Sequence, residues 1–156
     1  MNVLEAIYKQ IFDPKSETDQ FWGDLIYIDG LATEQYWEGL GIFPPTADII
    51  YFFIDSNGET PSLAQREFYI ELQKNYRSVE KQLSKLVYPT WKDHVRNVKF
   101  PKNFRDEFRI ASIEIPLATA RPFKWELTFF AKNDKNFIYT CTLEDLIPRY
   151  ITRNKF

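Results

Sequence analysis

The sequence has one cysteine, Cys141, and one histidine, His94. A single thiol permits no intrachain disulfide, which suits a reducing compartment. Zinc and iron–sulfur centres need several converging Cys or His side chains, so neither is expected. Ser/His/Asp catalysis would rest on His94 as its base, and no Gly-x-Ser-x-Gly turn accompanies it. His94 therefore reads as a surface residue of a basic loop, and Cys141, mid-strand by pattern, as a small buried apolar residue. The five glycines form neither Gly-x-Gly-x-x-Gly nor a Walker loop, so no backbone cradle for phosphate is present. No cofactor and no metal are expected. Long apolar runs are also missing: nothing approaches 18 uncharged apolar residues, which excludes a helical membrane span. The segment Met1-Asn2-Val3-Leu4-Glu5 has no basic stretch ahead of an apolar one, so a cytoplasmic protein without a secretory signal is expected.

What is plentiful is material for a core. Four Trp, nine Tyr and fourteen Phe sit in a chain that is 44% hydrophobic. So much apolar surface excludes a disordered chain. A length of 156 residues suits one domain, 1–156, better than two.

The net charge of −2 conceals two unlike segments. Residues 1–71 carry thirteen acids against Lys9, Lys15 and Arg66, whereas residues 74–109 carry ten bases against Glu80, Asp93, Asp106 and Glu107. Folded together, the charges either intermix on one surface or leave an acidic face that steers a basic partner.

The apolar pattern outlines the elements. Val3, Leu4, Ile7, Tyr8, Ile11 and Phe12 fall at helical spacing over 3–12, with a short strand as the alternative. Leu25-Ile26-Tyr27-Ile28 is a strand closed by the Asp29-Gly30 turn, and Thr33 to Trp37 is a possible partner strand. Gly39, Gly41 and Pro44-Pro45 then read as breakers. Ile49 to Ile54 is a β-favouring run that stops at Asp55-Ser56-Asn57-Gly58. A helix over about 61–88 follows. Pro61 stands in its first turn, Thr60 or the pair Ser62/Gln65 caps it, and Pro89 ends it. Its stripe is Gln65, Tyr69, Leu72, Tyr76, Val79, Leu83 and Leu86. Strands are expected at 108–115, 125–130 and 137–142, and the tail from Glu144 reads as a short helical turn followed by an ordered or frayed end. The expected fold is α+β: an antiparallel sheet of about five strands with one long helix (about 61–88) packed across one face.

Three functional classes fit these residues. Asp24, Asp29, Glu34 and Glu38, with Trp37 among them, are candidates for an acidic, aromatic surface that binds a basic protein. The same acids with Asp48 would be the material of a carboxylate hydrolase or nuclease. Lys92, Arg96, Lys99, Lys102, Arg105 and Arg109, interleaved with Trp91, Phe100, Phe104 and Phe108, are a candidate nucleic-acid surface, although a pI of about 5.5 is unlike a dedicated binder.

The order of features over about 20–145 is a further guide. Trp22-Gly23, an apolar strand, an acidic Gly turn, Pro61 to Gln65 at a helix start, Asn75-Tyr76 and two or three late strands follow one another. This layout resembles small bacterial domains of unknown function, some of which look like immunity proteins of contact-dependent or polymorphic toxin systems. The motifs are turn and core residues, so no functional residue carries over. The resemblance implies a non-catalytic binding protein, and the acidic first half would suit a basic toxin domain such as a nuclease.

Overall fold

A computed structural model describes residues 4–5, 14–30 and 34–156. The helix expected over 3–12 lies outside the described residues apart from its residues 4 and 5. The described elements are β1 (Ser16–Asp19), β2 (Gly23–Asp29), β3 (Gln35–Phe43), β4 (Asp48–Asp55), α1 (Leu63–His94), a 3-10 turn (Phe104–Asp106), β5 (Phe108–Ile115), β6 (Lys124–Ala131), β7 (Phe137–Glu144) and β8 (Ile147–Lys155). The strands form one sheet in chain order, β1 to β8.

Every neighbouring pair is antiparallel except β4–β5, which is parallel. A parallel neighbour cannot be reached by a hairpin and needs a crossover, which α1 provides. The architecture is thus two four-stranded meanders joined along one parallel seam. This corrects the expectation of about five antiparallel strands: there are eight, and the sheet is mostly rather than wholly antiparallel.

The three additional strands were hidden for different physical reasons. β1 is four polar residues, Ser16-Glu17-Thr18-Asp19, recognisable only by its pairing with β2. β3 was expected only as a possible strand over Thr33 to Trp37, because Gly39 and Gly41 beyond it read as breakers. In the sheet they make room: a Cβ at Gly39 would lie 2.7 Å from Leu25 Cδ2, and one at Gly41 2.8 Å from Phe52 Cε2. β8 is a charged edge strand whose hairpin turns through Asp145 at φ 50°. Its apolar residues, Ile147, Tyr150 and Ile151, are interrupted by Pro148 and Arg149 and do not alternate as a strand's would.

The helix also differs from expectation at its C-terminus. Ser62 is the N-cap, and it exchanges hydrogen bonds with Gln65 in a capping box. Pro89 does not end α1, which runs to His94, roughly 48 Å of helix at 1.5 Å per residue. The proline ring is exposed and removes one backbone donor, normally enough to break a helix. Beyond it, Trp91 and Val95 are buried. The indole of Trp91 donates to Glu107 Oε1 at 3.0 Å, so tertiary contacts carry the helix through.

One face of the sheet packs on α1. Trp37, Phe43, Ile50, Phe52, Ile54, Ile113, Ile115, Trp125, Leu127, Phe129, Tyr139, Cys141 and Leu143 meet the helix stripe from Phe68 to Trp91. Between Ile110 and Ser112 the β5–β6 register shifts by one residue, a bulge that lets both Ile110 and Ile113 face the core. α1 comes nearer to β8 than to any other strand, a placement that covers that edge of the sheet.

Gln65 and Glu107 are the buried polar residues of this core, and they sit near opposite ends of α1. Gln65 Nε2 donates to Asp55 O at 2.8 Å and to Pro116 O at 3.0 Å, tying the ends of β4 and β5 to the start of the helix. Glu107 accepts from Trp91 Nε1, Asn133 N and Asn133 Nδ2, tying the end of the helix to the β6–β7 turn. Truncating either leaves buried donors or acceptors unpaired. Gln65→Ala and Glu107→Ala are each expected to cost about 3 kcal/mol in urea unfolding, against about zero for the exposed Gln82→Ala.

Candidate functional site

The other face of the sheet is open, and its two halves are unlike. An antiparallel sheet with one solvated face normally alternates apolar inside and polar outside. The second meander keeps a polar row at its middle, where the outward Ser112, Thr128, Thr140 and Thr152 pair in succession across β5 to β8, with Phe130, Ile138 and Tyr150 as outward apolar positions on either side of it. The first does not. Leu40 faces Tyr51 and Ile42 faces Ile49 across β3–β4, and Ile26 and Phe53 flank Glu38 in the neighbouring row. Ile42 and Ile49 are 63% and 67% exposed, and Ile26, Leu40 and Tyr51 are also exposed. Six large apolar side chains thus share one outward patch, a feature that single scattered surface residues do not produce.

Beside the patch, where the parallel seam ends, lies a pocket of about 570 Å³. Its wall includes Tyr36, Phe53 and Leu117, together with Glu34, Asp55, Glu114 and Glu126. Ser112 and Thr128 hydrogen-bond each other in its floor. Phe53 belongs to both features, stacking on Tyr51 at 6.3 Å and meeting Tyr36 edge-on at 5.7 Å. No Lys, Arg or His lines the pocket.

Two of these acids touch. Asp55, at the end of β4, and Glu114, one register step back on β5, hydrogen-bond through their carboxyl groups. Burial pushes Glu114 up to about 8, and the charges of Asp55 and Glu126 push the same way. Burial also raises Asp55, to about 6, while its hydrogen bond from Glu114 partly opposes the shift and the Glu34 charge adds to it. The two steps belong to the pair. Burial raises the proton affinity of both carboxyls, and two acids so placed in one pocket are material for acid–base chemistry.

The residues singled out from sequence are distributed as follows. Glu38 is half-buried within the apolar patch, and Glu34 lines the pocket. Asp24 accepts from Thr18 Oγ1 at 2.7 Å, and Asp29 from Gln35 Nε2 at 3.2 Å, both at exposed positions of β2. Trp37 is fully buried, its Nε1 donating to Glu59 O, so it contributes to the core. Asp48 pairs with Arg109 at 3.1 Å. Lys92, Arg96, Lys99, Lys102 and Arg105 are exposed, and Arg105 pairs with Glu80. The aromatic residues between them are occupied: Trp91, Phe104 and Phe108 are buried and Phe100 packs on Trp91. No stacking platform accompanies that charge.

His94 Nδ1 lies 2.8 Å from Thr90 O, whereas the buried Cys141, its thiol pushed up to about 12 by burial, contacts Thr142 O. Among the described residues no group of three or more His, Cys, Asp or Glu is placed to hold a metal ion. Nor is any described helix long and apolar enough to cross a membrane. Sequence reasoning missed Asp55 and Glu114. Asp55 read as the first residue of a turn and Glu114 as an ordinary outward strand position. The available signal was that each closes a strongly apolar strand, where a carboxyl is partly desolvated.

No protein-family model, curated protein or solved structure matches this chain.

The carboxyl pair makes stability depend on pH. An acid whose pKa is raised by folding binds its proton more tightly in the folded state, so stability from this source is full below the unfolded pKa and is lost as pH rises. For Glu114 that window runs from 4.5 to about 8. Glu114→Gln removes it. The variant is expected to be more stable than the parent at pH 8 by about 1–2 kcal/mol, several pKa units discounted for partial exposure, with little difference at pH 4. Urea unfolding across that range checks it.

Proposed function

We propose that this chain is a non-catalytic protein-interaction domain that docks a basic partner on the open face of β2–β4. The observation that carries the reading is the outward patch of Ile26, Leu40, Ile42, Ile49, Tyr51 and Phe53. Leaving it in water costs free energy that a partner's apolar surface would recover. Two further features favour a basic partner. Glu38 stands inside the patch, and the adjoining pocket presents four acids with no base among its lining residues. An apolar centre beside a single-signed charged surface is the usual layout of an interface that is both steered and specific. A second copy of the chain would bring like charges together, which disfavours self-association through this face. A basic toxin domain, as the likeness to immunity proteins implies, is a partner of the right sign.

A second reading is supported by the Asp55–Glu114 pair. Two carboxyls in one pocket, both shifted upward by burial, are material for the proton transfers of a hydrolase. Turnover of a glycoside, peptide or phosphodiester that is lost in Asp55→Asn would establish it.

The docking reading is tested by co-purification from the native host with the intact chain as bait. The parent is expected to retain a basic protein at one-to-one stoichiometry. Ile49→Asp should weaken retention at least a hundredfold, since a charge would enter the centre of an apolar contact. Glu38→Lys should weaken it about tenfold, and more at low salt. Equal retention by parent and both variants, or no stoichiometric partner, would refute the proposal.

A further inference from the structure

α1 turns its apolar stripe to the sheet and leaves its opposite side to solvent. Along that side Lys74, Arg77, Lys81, Lys85, Tyr88 and Lys92 recur at spacings of three or four residues, and all are exposed. They form one row of roughly 27 Å at 1.5 Å per residue. None of its cations forms an ion pair with a described residue. Elsewhere the bases are taken up. Of the eight arginines, six hold an acid; of the two that do not, Arg77 lies in the row and Arg96 just past its end. Among the nearest acids, Glu71 is held by Arg121 and Glu80 by Arg105, and Asp93 falls about a quarter turn off the row. Phe100 packs edge-on against Tyr88 at 5.0 Å and Arg105 reaches Glu80. The loop between them, with the exposed Lys99 and Lys102, therefore runs along the flank of α1 and widens the basic surface.

We propose that the outward side of α1 binds the phosphodiester backbone of a nucleic acid without regard to base sequence. A line of uncompensated cations repels itself, and a polyanion laid along it is favoured further by release of its counterions. The make-up of the row selects among polyanions. A protein interface has an apolar centre, and a helix lying on a membrane inserts apolar side chains. From Lys74 to Lys92 no aliphatic side chain stands in the row. Between its cations are instead the hydroxyls of Ser78 and Tyr88, neutral donors of the kind phosphate oxygens accept. Trp91, Phe104 and Phe108 are buried and cannot stack on bases, so contact is limited to the backbone. The pI of about 5.5 averages this side with the acidic pocket on the far face of the sheet. The contact lies across the molecule from the open face of β2–β4 and does not depend on the docking reading.

Fluorescence anisotropy of the full chain tests this with one mixed sequence of about 24 nucleotides, offered as single-stranded DNA, duplex DNA and single-stranded RNA. At least one should bind at about 50 mM salt and lose about a hundredfold or more in affinity by about 200 mM, as five phosphate contacts require. A second sequence of unlike base composition should bind equally. Lys81→Gln with Lys85→Gln should weaken binding about tenfold and lower the salt slope by about two. Lys132→Gln with Lys135→Gln, at the exposed β6–β7 turn, changes the net charge equally and should leave affinity within about twofold. All four side chains are exposed, so neither variant disturbs the core. Phosphatidylcholine vesicles with about one-third phosphatidylserine should bind more weakly than the nucleic acid. Failure to bind any of the three nucleic acids, equal weakening by the two double variants, a strong sequence preference, or tighter binding to the vesicles would overturn the proposal.

Discussion

Two buried polar side chains hold this fold together. The sheet is two meanders, and only α1 and the β4–β5 seam connect them. Gln65 satisfies a capping box with its oxygen and both strand ends with its amide nitrogen, so one side chain sets where the helix starts and where the strands stop. Glu107 plays the corresponding part at the far end by fixing Trp91 and the β6–β7 turn. Apolar burial supplies most of the driving force but is non-directional. Hydrogen bonds with few alternative partners select one placement of the helix.

That placement decides what is left for function. With α1 covering one face of the sheet, the other is left open, and its halves differ in chemistry. The Ser and Thr row over β5–β8 is an ordinary solvated surface. The first meander carries the apolar patch, and the seam carries the carboxyl pair. The charge asymmetry is partly dispersed by folding, since Arg109 pairs with Asp48 and Arg121 with Glu71 across long stretches of chain. It survives at the pocket, where Glu34, Asp55, Glu114 and Glu126 meet no lining base. An acidic surface is thus a local property of one face rather than of the first half of the chain.

How much was legible in the sequence follows from the range of each interaction. Local signals read well in part: Ser62/Gln65, the alternative to Thr60, is the cap that forms, with Thr60 and Pro61 lying ahead of it, and the helix stripe holds from Gln65 to Leu83 before continuing through Val87 rather than Leu86. Strands whose apolar runs announce themselves were also legible. Pairing-dependent strands were not. β1 and β8 exist because a neighbour offers its edge, and the glycines of β3 make space for Leu25 and Phe52 rather than breaking the chain. Pro89 was overridden by Trp91, whose partner Glu107 lies sixteen residues on. Glu38 and Glu34, singled out as acids near apolar strands, lie within the apolar patch and in the pocket wall. The apolar patch itself was hidden, since Ile49 and Tyr51 look like the core residues Ile50 and Phe52 beside them. Asp55 and Glu114, fifty-nine positions apart, meet only through the parallel crossover. No spacing rule reaches that far.

The central claim is that the open face of the first meander is where this molecule meets a protein partner. The most direct measurement is a hydrogen-exchange footprint of the intact chain with and without the partner recovered from its host. The account predicts added protection over 26–53, along β2–β4, with 92–109 and the exposed face of α1 unchanged. Protection concentrated over 92–109, with β3 and β4 exchanging as in the free chain, would contradict it.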